Sequence, residues 1–457
     1  MKNIIIRAVL LVFLTCLIST SASCFIFDRP IDHYKKGNEY YSQKQWERAI
    51  EEYSRAISLD ARQAFFFINR ALSYNQIGEY EKAIADCTRA IAMKPNITLA
   101  YTTRASAYNE KGLYELAERD SSRAVELNPK FALGYLNRAW ASNGMGRYRD
   151  AIPDCDTAIK LEPNNATAYM NRAWSYNEMG KYEQAMADCD KTISLDPTLP
   201  LGYVNRAWVY NQIGGYESAI EDCNKAIELD PRIASGYVNR AWAQNSRGNY
   251  DLSIADCNEA IKLNPELPAA YIQRASSYFE KYPYSHEMPY WDMGMADCNK
   301  AIELNPKSSL AYNMRANGYL LKKEYRLAIA DATRAIDLQP EFAVPYVTRA
   351  RAYNDLREYD LAIDDCDSAT ALNPKLPEAW ANRAWAYNGK GDYKHALDDI
   401  NEAIRLKYDF AWAYYTRALI NKNMKLNDNA KSDLELCLEY TTDPKLIEAA
   451  RFLAGTL

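Results

Sequence analysis

One arginine sets the frame for this chain. Arg172 has counterparts at Arg70, Arg104, Arg138, Arg206, Arg240 and Arg274, spaced by 34 residues, and then at Arg315, Arg349, Arg383 and Arg417. Only the step from Arg274 to Arg315 departs from the period, by seven residues, and Lys36 marks a diverged first copy, which makes twelve. A repeat this short cannot bury its own apolar face, so neighbouring copies must stack and share a continuous core. Two helices fit inside one copy. At about 100° per residue, Tyr169, Ala173 and Tyr176 share one face of a first helix that stops at Gly180. Ala185, Cys189 and Ile193 recur at helical spacing on a second, which runs to the Asp196-Pro197 break. The residue after the Arg is Ala in eleven copies and Gly37 in the first, small enough for two helices to approach closely.

The order of large aromatic, small residue, Tyr, Gly, Ala and Pro within each copy resembles the tetratricopeptide repeat (TPR) family over residues 30–442. The resemblance implies an all-α fold, a right-handed TPR superhelix of about twelve helix-turn-helix repeats whose first helices line a concave groove. Residues 443–457 are expected to form a C-terminal capping helix, and 281–294 an insertion loop in the eighth repeat. The family implies binding of peptides or partner proteins, and no reaction.

The N-terminus reads as an address. Lys2 and Arg7, the apolar run from Ala8 to Ile18, and the small polar residues Ser19 to Ser23 predict an export signal over 1–23. The apolar run is shorter than the ~20 residues of a membrane span. Cleavage after Ser23 would leave Cys24 first, where bacterial lipoprotein signals carry their lipidated cysteine, although Ser21 stands where those signals usually have Leu. Lipidation at Cys24 and plain secretion both stand. The expected location is the cell envelope, periplasmic or membrane-anchored, with the membrane touched only through such an anchor.

Loss of Lys2 and Arg7 with the signal leaves 53 basic against 60 acidic residues, a balance of −7, with no basic run. A phosphate backbone needs clustered Lys and Arg, so nucleic acid is excluded as a partner. Ten cysteines in an exported chain would ordinarily suggest disulfides. Seven of them, among them Cys87, Cys189 and Cys366, occupy one slot of the second helix, and equivalent slots lie roughly 10 Å apart. A disulfide needs Cα atoms within about 7 Å, so these thiols are expected to be reduced core fillers. The residue before this slot is acidic in every copy, from Glu52 and Asp86 to Asp433, which predicts an Arg–Asp ladder that fixes helix register. His33, His286 and His395 stand alone. No Ser/His/Asp set, metal cluster or phosphate loop appears, so the expectation is a non-enzyme with no metal or cofactor.

The candidate ligand residues lie on the first helix, away from Tyr169, Ala173 and Tyr176. Asn171, Trp174 and Asn177 fan over about 120° with the indole central. The pattern recurs as Asn137, Trp140, Asn143; as Asn205, Trp208, Asn211; as Asn239, Trp242, Asn245; and as Asn382, Trp385, Asn388. It fades in the eighth and ninth copies. An amide offers one acceptor and two donors, which suits a peptide backbone, while Trp offers apolar contact for side chains. Rungs ~10 Å apart match about three residues of extended chain at ~3.3 Å each. Two readings stand for this ladder: a ligand surface, or packing between repeats. A partner protein or extended peptide is the first expectation. An envelope glycan, through indoles on sugar rings and amides on hydroxyls, is the alternative.

Overall fold

A computed structural model describes residues 29–282 and 289–457. The expected signal over 1–23, Cys24, His286 and positions 283–288 of the insertion lie outside the described residues. Among the described residues there are twenty-five helices and no strand: an all-α fold of helix-turn-helix repeats. The helices pair within each 34-residue copy, as in Ala166–Glu178 with Tyr182–Leu195, and a last helix, Pro444–Ala454, follows the twelfth copy.

The link between paired helices is built from backbone chemistry. In the fifth copy the Lys181 amide donates to Tyr176 O (2.9 Å) and the Gly180 amide to Asn177 O (3.0 Å), which closes the first helix. Gly180 takes φ +68°, the left-handed region where a side chain is penalised. Lys323 fills the same slot in the ninth copy at φ 60°, so the closure is imposed by the repeat even where glycine is absent. Between copies, Asp196 Oδ1 accepts from the Thr198 amide at 3.0 Å, and the Tyr203 hydroxyl donates to Pro197 O at 3.2 Å. Tyr135, Tyr169, Tyr237, Tyr271 and Tyr346 clamp the proline turn before them in the same way.

The packing repeats with the sequence. Ala173, Ala185, Cys189 and Val209 form one buried cluster, closed by Tyr176, Tyr182 and Met186. The eight described cysteines are buried, and none of them forms a disulfide with another. Cys87 and its equivalents are surrounded by protein, and burial pushes their thiols well above the ordinary range.

The Arg–Asp ladder is present and reaches further than the sequence indicated. Arg172 donates from Nε and Nη2 to both oxygens of Asp188 (2.8 and 2.7 Å) in its own copy, and from Nη1 to Asp156 (2.6 Å) on the second helix of the preceding copy. Each guanidinium so placed ties three helices. The third contact changes identity along the chain, being Ser54 for Arg70, Thr88 for Arg104 and Asn224 for Arg240. In the diverged first copy Lys36 and His33 both meet Glu52.

The chain forms two compact units, residues 1–214 and 215–457. Within each, successive first helices touch one another, while successive second helices make no comparable contact. Layers that close on one side and open on the other curve toward the closed side, so each unit carries its first helices on its inner face. The second unit ends on Pro444–Ala454, where Ala450 and Leu453 cover Tyr414, Ala418 and Leu434.

Candidate ligand-binding face

The inward side of the first helix carries three slots at four-residue spacing, Met170, Trp174 and Glu178 in the fifth copy; the first slot is buried at Ile68, Thr102, Leu136 and Val204, so the open part of this side lies at the slots of Trp174 and Glu178. Trp140, Trp174, Trp208, Trp242 and Trp385 are all half-buried. Trp208 lies against Tyr182 with ring centroids 6.5 Å apart, and Trp385 stacks on Trp412 at 5.9 Å.

The amides sit differently. Asn137 is 1% exposed and donates to Thr102 O at 2.9 Å, one copy back. Asn171 does the same to Leu136 O (3.4 Å) and Asn205 to Met170 O (3.5 Å). The second asparagine of each rung reaches forward: Asn143 is 1% exposed and donates to Asn171 O at 2.9 Å. Asn177, Asn211, Asn239 and Asn382 are also buried, and Asn382 caps Glu378 O within its own helix. Asn245 and Asn388 are half-buried and meet Ser276 and Asn423. Asn137, Asn143, Asn171 and Asn205 thus tie one first helix to the next, the packing role that was one of the two readings of the ladder. The reason is angular: residues three before and three after the indole lie on the helix flanks, where the neighbouring first helix arrives. The sequence carried a sign of this in Asn75, Asn109 and Asn354, which keep the amide in copies without the indole and make the same forward bond.

One amide in the series is better satisfied than its equivalents. Asn143 Oδ1 accepts from the Ser175 hydroxyl at 2.7 Å, whereas Asn109 Oδ1 is buried with no donor because the matching position is Ala141. Ala141→Ser should raise the stability of the first unit by about 1 kcal/mol and Ser175→Ala lower it by a similar amount. Urea midpoints at constant m-value would show this, and equal midpoints for both variants and the parent would refute it.

Sequence reasoning passed over the third slot of the face. It holds Glu110, Glu178, Glu280 and Asp355, all exposed to solvent yet surrounded closely enough that desolvation raises their carboxyl pKa values. Open to water and still crowded by protein describes the inside of a curve. A tyrosine from the preceding second helix lies over this slot. The Tyr80 hydroxyl interacts with Glu110 and the Tyr148 hydroxyl with Glu178, and where the slot is Gly144 or Gly389 an added Cβ would run into the ring of Tyr114 or Tyr359. Among the described residues, no group of three His, Cys, Asp or Glu stands close enough to hold a metal ion.

Comparison with known proteins bears on the repeat itself. Tetratricopeptide repeat profiles match residues 64–97 and 166–199, then 99–131, 132–165, 202–233, 234–267 and 413–444, and also 347–409; a TPR repeat profile matches 37–78. The chain belongs to the tetratricopeptide repeat family. Among solved structures, this TPR chain is similar in fold to the APC/C hetero-tetramer Cut9–Hcn1, at 14% identity, over 94% of this chain and 96% of that one, with a TM-score of 0.53. Yeast Tom70 also aligns, at 18% identity over 92% of this chain and 99% of that one, with a TM-score of 0.43. No curated protein matches the chain. As a TPR array it is, in general terms, a protein-interaction scaffold.

Proposed function

We propose that this TPR protein binds an extended peptide segment of a partner protein along the inner faces of its first helices, without catalysis, and that the indoles of Trp140, Trp174, Trp208, Trp242 and Trp385 are the main contacts. The observation that carries this is the division of labour on the first helix. The amides of Asn137, Asn143, Asn171 and Asn205 are taken up between repeats, while the indoles on the same helices stay half-exposed. Aromatic rings held rigid by packing and exposed on one side supply binding area at little entropic cost. Their spacing of roughly 10 Å suits a chain that places about every third side chain on the same line. The buried amides support the reading indirectly, since they hold the indoles in register.

An array of unstructured peptides probed with the full chain, run beside polysaccharide affinity gels, tests this. Retention by peptides supports it, and retardation by glycan alone would refute it. Export belongs to the same proposal. Lys2, Arg7 and the apolar run after them would direct the chain to the cell envelope, where Edman sequencing of the processed protein would give Cys24 first or, if lipidated, a blocked terminus.

A further inference from the structure

The inner face of the first unit is charged on one side only. Through the slots that run from Ile68, Leu72 and Gln76 to Val204, Trp208 and Gln212, the only ionisable residues are Glu110 and Glu178. Neither carboxylate is ion-paired among the described residues. The contrast with their surroundings is informative. Lys111, next in sequence to Glu110, turns away to Glu81, and Arg147, in the turn beyond Gly144, is held by Glu118. The cations that could have neutralised this face are engaged elsewhere.

Glu178 stands among aromatic rings. The Tyr148 hydroxyl interacts with it, Tyr182 is close enough to feel its charge, Trp208 packs on Tyr182, and Trp174 lies one turn earlier on the same helix face. Ring faces and a carboxylate both present negative potential, and the group that satisfies both together is a cation. Glu110 has a different surround. It borders a pocket of about 50 Å³ lined also by Leu72, Asn75, Thr102, Thr103 and Ser106, where the indole is missing. Asn75 Oδ1, on the wall of that pocket, is buried without a donor. In the second unit the corresponding Glu280 has Arg351 near it, so the same vacancy of charge does not arise there.

We propose that Glu110 and Glu178 each seat a lysine or arginine side chain of the ligand, so that the first unit takes a basic extended segment. The two glutamates are two copies apart, roughly 20 Å at ~10 Å per layer, which corresponds to about six residues of extended chain. This rests on the peptide-binding reading of the same face. Desolvation without a cation already raises both carboxyls, and a bound cation would relieve it. Protonation of either carboxyl would oppose the binding of a basic segment, so its affinity should fall as the pH is lowered into their raised range. The other groups facing these carboxyls are Tyr80 for Glu110 and Tyr148 and Tyr182 for Glu178. These phenols, with Tyr148 pushed up to about 12, stay protonated in that range.

The test uses the full chain and two fluorescent nine-residue peptides, one with Lys at its first and seventh positions and one with Gln there. Anisotropy at low salt should show the lysine peptide binding about tenfold tighter. That preference should vanish in the Glu110→Gln, Glu178→Gln double variant, whose exposed, isosteric changes leave the helical circular dichroism intact, and should shrink on acidification in the parent. Equal binding of the two peptides would overturn the cation seats and leave the peptide-binding face standing. A preference that survives in the double variant would overturn the assignment to these two residues. Binding of neither peptide would overturn both readings.

Discussion

Arg349→Leu is expected to lower the stability of the second unit by about 3–5 kcal/mol. Arg349 donates from Nε and Nη2 to the two oxygens of Asp365 at 2.8 and 2.7 Å, and from Nη1 to Thr333 at 2.9 Å on the preceding second helix. Asp365 is 5% exposed. Leucine leaves its carboxylate without a cation in a site water barely reaches, and it also cuts the tie between copies.

The pH dependence of the loss identifies its cause. Burial holds the Asp365 carboxyl above its ordinary range, and Arg349 is what pulls it back down. Without the guanidinium the folded state binds a proton more tightly than the unfolded chain does. A group whose folded pKa is raised contributes stability fully below its unfolded pKa and loses it as pH rises through the folded value. The deficit of Arg349→Leu against the parent should therefore shrink as pH falls from 7 toward 4. Arg349→Leu with Asp365→Leu should recover most of the loss, since a buried pair replaced by apolar groups is often neutral. Urea unfolding at each pH would settle it. A deficit of under about 1 kcal/mol, the range of surface pairs, would mean that the ladder contributes only like a surface ion pair.

What the sequence disclosed and what it withheld follow one physical division. The period, the helix pair, the alanine seam at Ala173 and the pairing of Arg172 with Asp188 were legible because each depends on spacing within one copy. The role of Asn143 was not, because its partner is the backbone of Asn171, one copy on, and helical periodicity says which way a side chain leaves a helix without saying what it meets. The same limit hid Glu178. Four residues past Trp174 it reads as an ordinary solvated acid at a helix end, and only the Tyr148 of the previous copy and the curvature of the first helices give it a partly desolvated site. Features within a repeat are written in its residues, whereas features between repeats depend on how the layers splay.

That division separates the consequences of two sets of substitutions on the same helices. Trp140→Ala, Trp174→Ala and Trp208→Ala combined should weaken peptide binding by roughly a hundredfold or more, since large rigid aromatic anchors commonly cost over 2 kcal/mol each when truncated. Because each indole is only half-buried, the triple variant should keep its helical content and a cooperative thermal transition. Asn143→Ala should behave in the opposite way. It removes a buried bond between copies and leaves the Ser175 hydroxyl only Asn171 O as acceptor, costing about 1–3 kcal/mol of stability, while the affinity of the still-folded fraction stays near that of the parent. Calorimetric titration of both variants with one peptide ligand, beside their thermal unfolding, reads the two effects on independent axes. Full affinity in the triple Trp variant would remove the indoles from the binding face. Loss of affinity without loss of stability in Asn143→Ala would return the amides to it, because only a side chain that touches the ligand can produce that result.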